Sequence, residues 1–251
     1  TNESQLCMIL GTWGNNQYIS QTPVVDEAVF MTSCYSIPGF YLMLEGSATS
    51  ASNLEWFIAE IFKAEAAQAA AEGKSVYDVL NALVADTTPQ DSNVIYLPFL
   101  YGSNVDADAK ASIIGLTDRH TVGHVVRAVY EGVIFGHMTH LERLLKFRKM
   151  PERIRLSGGA ARSEVWAQMI SDAFGVPVEV PDGTELGALG AAICAGVAGG
   201  CFDSYDAAIE SMVHFKREYK PDLALTEVYK AKYERYKKVT AALDPVWKDI
   251  V

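Results

Sequence analysis

The chain has 251 residues, 49% of them apolar and 21% charged, an ordinary composition for a soluble globular protein of one or two domains. Lys and Arg total 21 against 31 Asp and Glu, and the net charge of -10 repels nucleic acid and anionic lipid, so neither is expected as a partner. An anionic ligand stays open where backbone amides, helix N-termini and Mg²⁺ supply local positive potential.

Thr1-Asn2-Glu3-Ser4 gives way at once to Leu6-Cys7-Met8-Ile9-Leu10, a buried-strand pattern. Enzymes rarely open on a core strand, so the chain is expected to begin at a domain boundary. Residues 11–16, Gly-Thr-Trp-Gly-Asn-Asn, read as a turn and residues 17–20 as the returning strand of a hairpin. Strands are expected over 29–35 and 40–45, then one Ala-rich helix from about Ser50 to Glu72, stopped by Gly73. Ser75-Val76-Tyr77-Asp78 has the form of a capping box for a short helix ending near Ala85. Residues 94–97 and 111–116 read as strands separated by a polar excursion.

Thr121 is placed to cap a long helix that carries Val122, Val125, Val126, Val129, Val133, Leu141, Leu144 and Leu145 at three- and four-residue steps. Gly132-x-x-x-Gly136 lies inside it beside Arg127, Glu131 and two histidines, which signals a closely packed neighbour rather than a membrane dimer. The last third alternates: strand 153–156, helix 163–174 ended by Gly175, strand 176–180, helix 185–198, then helices near 204–214 and 226–243. Strands first, then strand and helix in turn, describe an α/β fold with no second domain boundary and no internal repeat.

Neither a Walker GxxxxGK[ST] nor a GxGxxG follows a strand, so a nucleotide would need other glycine turns. Gly11-Thr12 is one: glycine leaves amides unobstructed and the Thr hydroxyl can donate to a phosphate, although the same residues make a plain hairpin turn. Ser157-Gly158-Gly159-Ala160-Ala161-Arg162-Ser163 is the other. There a flat ligand can lie on bare backbone beside free helix amides, or glycine can simply serve a connection with positive φ. His137-x-x-His140 would share a helix face but lack a third ligand at recognisable spacing, so no metal is expected on them.

Cys7, Cys34, Cys194 and Cys201 form no CxxC pair and are expected as buried thiols in a reduced cytoplasm. Nothing reads as a signal peptide, and no apolar run is long enough to span a bilayer. Asp26, Asp86 and Asp182 read as solvated loop acids, and Glu185 as a carboxylate favoured at a helix start. Phe202, Tyr205, Tyr219, Tyr229, Tyr233 and Tyr236 read as packing. Lys230, Lys232, Lys237 and Lys238, alternating with Glu227 and Glu234, read as a solvated helix face.

Ala111-x-Ile113-x-Gly115-Leu116, seven residues, then His124-Val125-x-x-Ala128-Val129-Tyr130-Glu131 resembles the C-terminal signature of the FGGY carbohydrate kinases. The stretch from Ser157 to Trp166 is similar to that family's adenosine turn. Glu185-Leu-Gly-Ala-Leu-Gly-Ala-Ala192 is similar to its final helix motif, and Gly11-Thr12 falls at its phosphate-contacting turn. The resemblance implies a ribonuclease-H-like domain of the actin and sugar kinase superfamily, a mixed sheet with flanking helices. It further implies that residues 1–251 form the C-terminal ATP-binding domain of a two-domain kinase, whose N-terminal sugar-binding domain is absent from the chain.

By the same resemblance, with ATP and Mg²⁺, Gly11 and Thr12 would meet the β/γ-phosphates and Gly158, Gly159 and Ser163 the adenosine. Glu55 would be a further nucleotide contact, and Asn15 would reach the sugar. Ala51 stands where the family often has Gly. The catalytic Asp is implied upstream, so no catalytic residue is assigned here and the chain is expected to be inactive alone. Leu97-Pro-Phe-Leu-Tyr-Gly-Ser-Asn104, with Gly11 to Asn16, looks most like kinases of ketopentoses such as L-xylulose. The implied partners are ATP, a small sugar and its own N-terminal domain, with a homodimer left open. Two rivals stand: a non-catalytic ATP-sensing module of the same superfamily, and a kinase of glycerol or a sugar acid.

Overall fold

Alternation of apolar side chains starts the fold. In β1 (Gln5–Leu10) Leu6, Met8 and Leu10 are fully buried and the residues between them half-buried, the period of two of a strand. The computed structural model describes residues 3–103 and 106–250, so Thr1, Asn2 and Asn104 fall outside it. β1 turns back through Gly11–Trp13 into β2 (Gly14–Ser20), with Leu10 opposite Gly14. The return strand therefore starts earlier than the sequence suggests. Polar Asn16 belongs to it because the helix above supplies its buried amide with a partner.

β3 (Met31–Cys34) and β4 (Tyr41–Ser47) follow as expected, then α1 (Ser52–Glu60), α2 (Lys63–Ala71) and α3 (Val76–Ala85). The single helix expected over 50–72 is in fact two. Phe62 leaves the helical path at φ -89°, ψ 38° to bury its ring against Phe57, centroids 5.4 Å apart. Ser75 caps α3 as anticipated, accepting from the Tyr77 amide at 3.3 Å. β5 (Ile95–Leu97) and β6 (Ser112–Ile114) form a separate antiparallel ribbon.

The long helix α4 (Val122–Leu144) starts where Thr121 donates its amide to His124 Nδ1 at 3.0 Å. A Cβ on Gly132 would sit 2.4 Å from the Tyr96 carbonyl, so β5 is the close neighbour that the glycine pair signalled. β7 (Arg153–Gly158), a 3₁₀ turn over Gly159–Arg162, α5 (Glu164–Phe174), β8 (Val178–Pro181), α6 (Leu186–Ala198) and α7 (Tyr205–Met212) carry out the alternation. Then comes β9 (Phe215–Tyr219), a strand the sequence did not announce. α8 (Leu223–Leu243) and α9 (Trp247–Ile250) complete the chain.

Among the described residues the main sheet has the order β3-β4-β2-β1-β7-β8-β9, with β1, β7 and β8 parallel and the outer pairings antiparallel. This is the expected mixed sheet with flanking helices. In register, Leu6, Met8 and Leu10 share a face with Tyr18, Asn16 and Gly14, and Asn16 bonds to α4; that face is therefore the one under α4.

Two expectations about side chains fail. Cys34 and Cys201 are exposed and Cys7 and Cys194 half-buried, because Cys34 ends an edge strand and Cys201 lies in a turn; all four are free. Lys232 is not on a solvated face. It is buried, pairs with Glu131 at 2.6 Å, and donates to the Pro89 and Ser92 carbonyls at 3.0 Å each. Among the described residues no helix is long and apolar enough to cross a membrane.

Candidate functional site

β1 and β7 run parallel with Leu10 opposite Gly158, so the turns that follow them leave the sheet at the same edge. Open α/β sheets bind ligands outside the carboxyl ends of such strands. Gly158 adopts φ +91°, and a Cβ there would lie 2.4 Å from the Leu10 carbonyl oxygen and 3.0 Å from the Gly11 nitrogen. The two glycine turns thus touch backbone to backbone, and glycine is required where they do.

The start of α1 closes a third side. The Ala51 amide donates to the Gly11 carbonyl at 2.9 Å, and Ser52 Oγ donates to the Thr12 carbonyl at 3.0 Å. Gly11, Thr12 and Gly158 are brought together in this way, with Ala51 in direct contact. Glu55 stands exposed on the first turn of the same helix. Thr12 is exposed, and among the described residues nothing bonds its hydroxyl.

Gly159 is exposed and opens the 3₁₀ turn that leads to Ser163. Ser163 Oγ accepts from the Trp166 amide at 3.1 Å and donates to Asn81 Oδ1 at 2.7 Å. Its hydroxyl is committed to capping α5, which leaves a ligand only one lone pair. Tyr130 also donates to Asn81 Oδ1, at 2.9 Å, and its ring stacks on Trp166 with centroids 4.1 Å apart. Asn15 sits on the opposite face of the sheet from Asn16, with its amide oxygen over Gly46. It is not among the residues that the three contacts above hold together.

Sequence reasoning missed Trp13, 53% exposed at the tip of the first turn. It also missed Ser52 and Asn81, whose partners are distant in sequence and leave no local pattern. Asp26, Asp86 and Asp182 are exposed, as solvated acids should be, and Glu185 is the exposed N-cap of α6.

The two helical histidines face inward instead. Burial holds His137 well below the usual imidazole range, with the neighbouring His140 adding to the effect. Burial, then the Arg143 charge, pushes His140 down to about 4. Among the described residues no three His, Cys, Asp or Glu side chains converge on a metal-sized site.

Residues 6–199 match the model of the FGGY family of carbohydrate kinases, C-terminal domain. The chain is 34% identical over 243 residues to the L-xylulose/3-keto-L-gulonate kinase of Escherichia coli (strain K12), covering 96% of this chain and 47% of that protein. It is 36% identical over 247 residues to a probable L-xylulose kinase of Pasteurella multocida (strain Pm70), again covering 96% and 47%. The xylulose kinase structure from Rhodospirillum rubrum superposes with a TM-score of 0.86 at 27% identity, over 99% of this chain and 49% of that one. The chain therefore spans about half the length of the curated relatives it matches. A turn pair clamped at the edge of a mixed sheet, the match over 6–199 and these relatives together place the chain in the FGGY family of carbohydrate kinases.

Proposed function

We propose that this chain is the ATP-binding half of a sugar kinase that phosphorylates a ketopentose, L-xylulose first among them. The observation that carries the reading is the abutment of the Gly11–Trp13 turn, the Gly158–Gly159 turn and the start of α1 at one sheet edge. In this reading the phosphates lie on Gly11 and Thr12, and adenosine lies along Gly158 and Gly159, with Glu55 and Ser163 at its margin. Asn15 faces the sugar.

Phosphoryl transfer needs positioning and charge neutralisation above all. A sugar hydroxyl oxygen attacks the γ-phosphorus, the new P–O bond forms as the bond to the β–γ bridging oxygen breaks, and ADP leaves. The hydroxyl proton goes to a carboxylate of the half that the relatives have and this chain does not span. Mg²⁺ bound to the phosphates would neutralise part of their charge. What this chain contributes is a rigid wall of amides and one hydroxyl.

The test joins the chain to an N-terminal half of the kind its relatives have and follows ADP release with L-xylulose, D-xylulose, glycerol and gluconate. Turnover that depends on L-xylulose supports the proposal. Turnover confined to gluconate or glycerol would replace the substrate, and ATP binding without turnover on any acceptor would make the protein a sensing module.

A further inference from the structure

The His137–His140 pair is not used by the proposed chemistry, yet His137 lies directly behind the first turn. His137, Asn16 and Ser50 are each 2% exposed or less. His137 Nε2 is 3.0 Å from Ser50 Oγ, and Nδ1 is 3.2 Å from Asn16 Oδ1. Asn16 Nδ2 donates to the His137 carbonyl at 3.3 Å, which fixes the amide with its oxygen toward the ring. Nδ1 must then carry the proton and donate to Asn16, and Nε2 accepts from the Ser50 hydroxyl.

The ring therefore joins two segments that are far apart in sequence. Asn16 belongs to β2, two residues after the turn closes. Ser50 immediately precedes Ala51, whose amide holds the Gly11 carbonyl. The ring also lies close behind the residue that follows the turn: a Cβ on Gly14 would meet His137 Nε2 at 3.0 Å and Ser50 Cβ at 3.1 Å.

We infer that His137 is a positioning residue for the Gly11–Trp13 turn, holding β2 and the start of α1 at a fixed separation and so fixing the phosphate end of the nucleotide site. The last clause rests on the phosphate reading proposed above; the mechanical part does not. A buried imidazole suits this task because it offers one donor and one acceptor about a rigid plane, and no flexible side chain spans both partners as firmly. His140, also buried and one turn on along α4, serves as the control.

The experiment uses amide hydrogen exchange on the 251-residue chain carrying His137→Ala, His137→Gln, Ser50→Ala or His140→Gln. Exchange over residues 11–14 should quicken by about tenfold or more in His137→Ala and Ser50→Ala, the effect of one lost hydrogen bond. Glutamine can still reach Ser50, so His137→Gln should recover much of the protection. β7 and α5 should be unaffected in all three. Unchanged exchange over 11–14, or the same acceleration in every segment as in His140→Gln, would overturn the assignment. Calorimetry then reads the nucleotide: ADP and ATP should weaken about tenfold with AMP unchanged, and an equal loss for all three would overturn the link to the phosphates. If the unsubstituted chain bound no nucleotide, the proposed function would fail, while the exchange comparison would still decide the role of His137.

Discussion

The Thr12 hydroxyl stands exposed on a turn whose backbone is pinned from behind by Ala51 and Ser52. Thr12→Val should leave the fold intact and weaken ADP and ATP by roughly ten- to a hundredfold, since a hydrogen bond to a charged group is worth about 1.5–3 kcal/mol. Calorimetry on the variant decides this, and unchanged affinity removes Thr12 from the site. The two glycines of the second turn, which the sequence presents as equals, are separated by the structure. Gly158 carries the positive φ, and its Cβ position collides with the Leu10 carbonyl, whereas the nearest atom to a Cβ on Gly159 is 4.0 Å away. Gly158→Ala should therefore destabilise the protein by about 1–3 kcal/mol through backbone strain and collision. Gly159→Val should fold normally and weaken AMP, ADP and ATP alike, because it intrudes at the adenosine end. A thermal melt and three titrations tell the two apart.

At the level of elements, the legible features are those set by neighbours in sequence. Ser75, Thr121, Ser163 and Gly175 mark helix ends through contacts within a few residues, and each lies where its residue type requires. The break between α1 and α2 was not legible, since Phe62 departs from the helix only because Phe57 offers its ring a buried partner. Nor was β9, a mostly exposed and charged edge strand without apolar alternation. Lys232 is the instructive error on α8. Its spacing among charged neighbours looks solvated, but Glu131 and two carbonyls of the 89–92 loop surround it. Arg127 lies on the other side of Glu131, at 3.8 Å. Lys232→Ala should cost about 3–5 kcal/mol, the penalty of leaving a buried carboxylate short of a partner. Lys230→Ala, which breaks only an exposed pair with Glu227, should cost about 0–1 kcal/mol. Urea unfolding of both variants checks this, and equal midpoints would show that Lys232 is solvated after all.

For the whole molecule, the buried histidines tie stability to pH. The unfolded chain takes up these protons near pH 6.5, but folded His140 does so only at about 4 and His137 well below its usual range. Their contribution is thus complete above about pH 6.5 and is lost as pH falls toward 4, at about 1.4 kcal/mol per unit for each group. The melting temperature should fall from pH 7 to pH 5, and fall less steeply in His140→Gln; parallel slopes would contradict the burial argument. The two glycine turns of the candidate site were legible as motifs, since they announce themselves between strand and strand or strand and helix. What the sequence could not show was that strand register sets Leu10 beside Gly158, or that Ser52 and Asn81 brace the turns from afar. That juxtaposition is the proposed nucleotide site. Amide-resolved NMR of the 251-residue chain titrated with Mg-ADP tests it most directly. Shifts should cluster at Gly11–Trp13, Ala51–Glu55 and Gly158–Ser163, and grow together as one weak binding event. Shifts centred elsewhere, such as around Phe99 and Thr139, or none at millimolar nucleotide, would contradict it.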